Sequence, residues 1–522
     1  MGILLARIVS TKPSKDGEKG GTVLKLKNLI NIARSLDIEE KRRVTIRLVT
    51  SLMQFILGPS LAWKAGGSNS LGAFNGLALY VLIHLYSRFV AAYIASRGTE
   101  RANNSYKFSP AFLAIAAACC LVNEFGLLND QLHLILAVII VPILLGSYEG
   151  AYWCSYHGIN SAKKGEIVEE NPSEAEKKRL KEFQMLEVLS TFTSAIFVFL
   201  LTKTIPVAQP FIPLPSPETV ASMFALILAI LATKRSNFEK ECPVCEAEKG
   251  KACIITPQED KELHFRDVHK VRMVLLRKDI SPESEEKGNR FFTYNVPTAT
   301  THNDWYSGLA ITGSIGIMQW SVSNAMRMVS LPFGGISTLS LLVGFAGLAG
   351  WVYSENLEKK IERMNKQSDY QVWILAHKWT TLGILIMGFC LLMTDPKSPE
   401  ALGLNEVILF TIGWLIARAA MSGSIRRSEM EFANKFLKID ADNKEHTGSI
   451  IGVRERMKFE KQVQFSIAVI VCFYMHSFIG MSVFKWVAFM LLFWAILICI
   501  YSIWRTGELI KKRIEIHSIN SN

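Results

Sequence analysis

Apolar runs of about twenty residues, separated by short polar stretches, set the pattern of this chain and predict helices that cross a bilayer. Twelve such runs lie near 48–64, 71–95, 108–127, 132–153, 183–203, 217–233, 304–325, 333–353, 371–393, 402–421, 463–481 and 484–504. A helix rises 1.5 Å per residue, so runs of this length match a hydrocarbon core roughly 30 Å thick. Three runs carry interruptions. The first holds Gln54 and Pro59, the sixth follows a proline-rich stretch from Pro206 to Pro217, and the seventh holds Gln319, Ser321, Ser323 and Asn324. Inside a bundle such groups must be satisfied by neighbouring helices or by a water-filled cavity, which makes them interface or pore candidates.

Charge tests the count independently. Lys and Arg cluster before the first run, as Arg42, Arg43 and Arg47, and in alternate connections, as Arg97 and Arg101, Lys177 to Arg179, Lys234 and Arg235, Lys359 to Arg363, and Arg426 and Arg427. The tail adds Lys511, Lys512 and Arg513, whereas the other connections carry little beyond Lys64, Lys203, Arg327, Lys397 and Lys485. This alternation predicts a multi-pass protein of the cell membrane with both termini in the cytoplasm. Met1–Ser10 is too short for a cleavable leader, and residues 23–36 form an amphipathic pattern expected to lie on the membrane or against the bundle. The 522 residues are 50% hydrophobic and only 20% charged, a balance that excludes an ordinary soluble enzyme. The net charge of +12 is accounted for by membrane orientation, so nucleic acid is not an expected partner.

The runs divide six and six around a polar segment, which gives five expected parts. Residues 1–47 form a cytoplasmic segment with the amphipathic helix, 48–233 a first six-helix half, and 234–303 a cytoplasmic linker. Residues 304–504 form a second half that includes the cytoplasmic segment 422–462, and 505–522 a tail. Residues 158–182 occupy in the first half the place of 422–462 in the second, as an internal duplication would leave.

Phe333–Arg363 places Gly350 at the end of a span, then Glu355, then the basic run Lys359, Lys360 and Arg363; Gly150–His157 reads GAYWCSYH at the end of the fourth span. On these stretches, with the count and parity of the spans, the chain resembles the major facilitator superfamily. The first-half loop Ala95–Arg101, ASRGTER, departs from that family's order. The resemblance implies an all-α fold of 12 transmembrane helices in two six-helix halves and transport by alternating access.

Ionisable residues are costly in lipid and usually face a bundle interior. His84 and Arg88 lie four residues apart and share one face of the second span, as an anion-binding pair or as an interhelical contact. Glu149 in the fourth span and Glu187 in the fifth are candidates for proton exchange or for salt-bridged gates. In the seventh span Gln319, Ser323 and Arg327 follow at i, i+4 spacing beside Asn324, a polar stripe expected to line a cavity, with Arg327 near the outer face. His476 in the eleventh span is a candidate proton relay or an interhelical hydrogen-bonding residue. Gly344, Gly347 and Gly350 recur on one face of the eighth span and predict close helix packing.

Three of the nine cysteines stand apart. Cys242, Cys245 and Cys253 fall in ECPVCEAEKGKAC, and two thiolates two residues apart with a third close behind suit a tetrahedral zinc, completed by His264 or His269. The stretch also resembles small zinc fingers through Pro243, Gly250, His269 and Arg272, which implies His269 as the fourth ligand. A closed site of this kind is structural, folding the linker or docking a cytosolic protein partner.

The chain carries no nucleotide-binding glycine loop, no H-E-x-x-H and no G-x-S-x-G, so it is not expected to be an enzyme. The expected function is a secondary active transporter or permease for a small solute, with proton coupling an option. The alternative is a non-transporting scaffold or sensor that binds a cytosolic partner through the zinc segment.

Overall fold

The computed structural model describes residues 38–67, 70–95, 99–125, 129–167, 174–210, 214–233, 302–363, 369–394 and 403–437, with scattered positions between 458 and 500. Every element is helical: α1 (Ile38–Thr50), α2 (Gly58–Ala65), α3 (Ser70–Ala95), α4 (Thr99–Glu124), α5 (Asp130–Ile135), α6 (Val141–Ile167), α7 (Glu174–Ala208), α8 (Pro217–Thr233), α9 (His302–Arg363), α10 (Asp369–Thr394) and α11 (Leu404–Leu437). Among the described residues, seven helical stretches are long and apolar enough to cross a membrane. Two shorter apolar helices, Pro217–Thr233 and Lys378–Met393, join them. The chain is an all-α, multi-spanning membrane protein. Most of the eleventh and twelfth predicted runs lies outside the described residues.

The surface shows why these helices need lipid. On α8 the small residues Ala221, Ala225, Ala229 and Ala232 are buried while Met223, Ile227, Ile230 and Leu231 face outward. Helices in lipid gain nothing by hiding large apolar side chains, and small residues let backbones approach closely. On α11 Ile408, Leu409 and Ile412 likewise face outward, while the buried face mixes Ala417 and Ala420 with Phe410 and Trp414.

Two helical rods contain a π-helical turn, Ser51–Leu57 between α1 and α2 and Leu136–Ile140 between α5 and α6. Each turn is followed two residues later by a proline, Pro59 or Pro142. Proline lacks an N–H and its ring crowds the carbonyl four residues back, so a local widening accommodates it without breaking the rod. The first rod runs antiparallel to α8. Arg42 Nε donates to Ala232 O at 2.9 Å, capping the carbonyl end of α8, and Lys64 Nζ lies 2.6 Å from Glu218 Oε1 at the other end. The 22 residues from Arg42 to Lys64 span roughly 33 Å, close to the hydrocarbon thickness.

Several boundaries differ from those read in the sequence. The first spanning stretch is Glu40–Ala65, so the helix starts before the predicted 48 and takes in part of the segment assigned to 1–47. The predicted seventh and eighth runs join in α9, which is helical through 326–332 and breaks only at Gly334 (φ −162°) and Gly335 (φ 58°), after Pro332. Only glycine adopts the conformation at Gly335 without strain. Arg327 therefore stands seven residues before the break, roughly 10 Å along the helix, and is buried. Two of the glycines in the second arm of α9 pack against α7: a side chain on Gly344 would meet Ala195 Cβ at 3.1 Å, and one on Gly347 would meet Thr191 Cγ2 at 3.7 Å.

Candidate functional site

The site is organised around a close crossing of α3 and α6. Gly146 and Gly150 are four residues apart on α6, and their Cα positions press on the α3 backbone. A Cβ on Gly146 would collide with His84 O, and one on Gly150 with Arg88 O. This G-x-x-x-G arrangement frames Glu149 and brings its carboxylate to α3. Arg88 Nη1 donates to Glu149 Oε1 at 3.0 Å, and His84 Nε2 lies 3.3 Å from Glu149 Oε2. The Gln54 side chain lies beside the same carboxylate, whose Oε2 makes no hydrogen bond among the described residues. Arg88, His84 and Gln54 are all polar and little exposed, and a buried carboxylate needs such surroundings.

Gln54 also joins the site to α9. Within the π turn the Gly58 N–H bonds to Met53 O. The next residue, Pro59, has no N–H to give, so the helix leaves the Gln54 carbonyl without a donor. Arg327 supplies one: its Nη2 donates to Gln54 O at 3.2 Å, and its Nη1 donates to Asn324 Oδ1 at 3.0 Å. The π turn thus turns a backbone group toward a guanidinium 273 positions along the chain.

These groups line one cavity of about 280 Å³. His84, Arg88, Glu149, Gln319, Ser323, Asn324 and Arg327, all candidates from sequence, meet in its wall. Glu187 does not line it; it lies within electrostatic reach of Arg47 and Arg43, and its carbonyl accepts from Ser190 Oγ at 2.6 Å. His476 and the cluster Cys242, Cys245, Cys253 and His269 lie outside the described residues.

The cavity wall holds residues that were read otherwise in the sequence or not singled out there. Arg47 had been assigned to the flanking charge of the first span, and Trp153 to a family motif. In the structure the Arg47 Cζ lies 5.4 Å from the centre of the Trp153 ring, and both line the cavity. Arg418 was legible in principle, as a lone cation within the apolar run of α11. Lys458, Phe459 and Gln462 come from a polar connecting segment, where nothing in the local pattern marks a cavity. Phe459 is placed with its ring centre 4.3 Å from Arg88 Cζ. Tyr152, from the same motif as Trp153, is buried in an aromatic stack with Tyr106 and Tyr148, both centred 5.4 Å away.

With the architecture and cavity in place, solved structures provide the decisive likeness. A POT family transporter in complex with a thioalcohol-conjugated peptide superposes with a TM-score of 0.54 at 12% identity, covering 89% of this chain and 96% of the other. The fold is major-facilitator-like. A POT family transporter in complex with 5-aminolevulinic acid gives 0.51 at 12% identity over the same shares. A partially occluded inward-open xylose transporter, XylE from E. coli, gives 0.48 at 11% identity, covering 89% of this chain and 98% of that one. No protein-family model and no curated protein matches the sequence. At such identities the major-facilitator-like likeness extends to the path of the chain and not to individual side chains.

Proposed function

We propose that this chain is a secondary active transporter for a small solute, working by alternating access within the bilayer of the cell membrane. In this reading residues 48–233 and 304–504 form two six-helix halves, giving 12 transmembrane helices, with both termini in the cytoplasm. The observation that carries it is the polar cavity, whose wall combines His84, Arg88 and Glu149 from before the central linker with Asn324, Arg327 and Arg418 from after it. A polar cavity inside a bundle is costly to maintain unless something polar occupies it. A scaffold has no use for one, and this favours transport over the sensor reading and over an enzyme. Rocking of one half against the other would expose the cavity to each side in turn. His84 and Glu149 are the groups through which a proton would couple.

Spin labels at Val207→Cys and Leu404→Cys, both exposed positions at helix ends, test the motion once the reactive native cysteines are replaced. Reconstituted protein should give two exchanging distances, whose populations shift with a proton gradient or a mixed solute pool. A single distance under every condition would return the weight to a scaffold.

For the linker we propose a structural zinc held by Cys242, Cys245, Cys253 and His269, a folded platform for a cytosolic protein partner. Metal analysis of the purified full chain should find one zinc per molecule, lost in Cys242→Ser together with Cys245→Ser. Protein free of zinc when purified from zinc-supplemented cells would dispose of the site.

A further inference from the structure

The charge of the cavity wall is strongly unbalanced. Among the described residues it presents Arg47, Arg88, Arg327, Arg418 and Lys458 against one carboxylate, Glu149. That carboxylate accepts from Arg88 through Oε1, while its Oε2 lies 3.3 Å from His84 Nε2 without a hydrogen bond among the described residues. Arg88 is buried, yet its Nε and Nη2 have no hydrogen-bond partner among the described residues. A buried guanidinium with unmet donors costs free energy that a bound acceptor would recover. We infer that the cavity binds a small solute bearing a carboxylate or phosphate group, held between Arg88 on α3 and Arg327 on α9.

The chemistry of the wall narrows the class further. Guanidinium presents a planar fork that matches the paired oxygens of carboxylate and phosphate, which a spherical anion does not reproduce. Gln319, Ser323 and Asn324 add neutral hydrogen-bonding groups, while Val81, Phe55 and Trp153 add apolar surface for a short carbon body. At about 280 Å³ the space lies below the usual range of drug-sized pockets, which points to a metabolite-sized anion. Because α3 precedes the central linker and α9 follows it, an anion between their arginines would draw the two parts of the bundle together. The inference rests on the transport reading for its consequence, but not for the binding itself.

Calorimetric titration of the purified full chain in neutral detergent separates the two. Sodium phosphate and sodium succinate are added at ionic strength held constant with sodium chloride, with mannitol as a neutral control. Saturable binding of phosphate or succinate at one site is expected, with mannitol silent. Arg327→Gln should weaken it on the order of 10- to 100-fold, as for loss of a charge-assisted hydrogen bond, and Arg327→Lys should restore part of it. Arg47→Gln gives a second reading that leaves the Gln54 tether intact, with a weakening in the same direction. No saturable binding of either anion, equal binding of mannitol, or affinity unchanged in both glutamine variants would overturn the inference. Binding confined to vesicles containing an anionic phospholipid would overturn it too, since the ligand would then be a lipid headgroup. Anion binding alongside a single fixed Val207 to Leu404 distance would keep the site and remove transport. Exchanging distances without anion binding would do the reverse.

Discussion

Glu149→Ala is expected to lower the unfolding free energy of the detergent-solubilised protein by about 3–5 kcal/mol, the range for removing one partner of a buried ion pair. The cost arises from what the substitution leaves behind. Arg88 would lose its 3.0 Å contact to Glu149 Oε1 and would remain buried beside His84 in an already cationic wall. Pairing the change with Arg88→Met should recover most of the stability, because no uncompensated charge then stays inside. The check is a double-mutant cycle read by denaturant unfolding. Equal losses in the single and double variants would show that the pair contributes little beyond its packing.

Gly150→Val is the second change expected to be large, because it acts on backbone rather than on a movable side chain. Its first added carbon would collide with Arg88 O and approach both Ala92 N and Arg88 C at 2.9 Å. Neither helix can yield locally, so α3 and α6 must separate. The expected cost is at least the 1–3 kcal/mol of ordinary overpacking. Separation would also draw Glu149 from Arg88, so the variant should lose the stability of that ion pair along with its own cost of overpacking. Gly347→Ala supplies the contrast. Its neighbour Thr191 Cγ2 lies at 3.7 Å, an ordinary contact, and alanine is the better helix former by roughly 1 kcal/mol. A thermal melt should place Gly347→Ala at or above the parent and Gly150→Val well below it. Similar melting of the two would mean that the α3–α6 crossing is more compliant than its geometry implies.

The Gly150 comparison also marks the reach of sequence reading. Gly344, Gly347 and Gly350 were legible as a packing face because small residues repeat conspicuously there. Gly146 and Gly150 carry the same signal, at the spacing of a G-x-x-x-G, but they flank the more conspicuous Glu149. Which pair makes the tighter contact depends on the neighbouring helix. Gly344 and Gly347 meet side chains, whereas Gly146 and Gly150 meet backbone.

The sequence by itself determined that the chain is a helical membrane protein. Run length is tied directly to bilayer thickness, and the cost of placing ionisable groups in lipid marks His84, Arg88, Glu149 and Arg327 without knowledge of their partners. It also marked the polar stripe of Gln319, Ser323 and Arg327, since periodicity fixes which residues share a helix face. Only the tertiary structure decided what those residues meet. Periodicity says nothing of helix rotation or of contacts between distant segments. The pairing of Glu149 with Arg88 and His84, the entry of Arg47, Arg418 and Lys458 into the cavity wall, and the donation from Arg327 to Gln54 O are all products of packing. The last has a local cause at Pro59, but its partner lies 273 residues away, at a distance that only the fold closes.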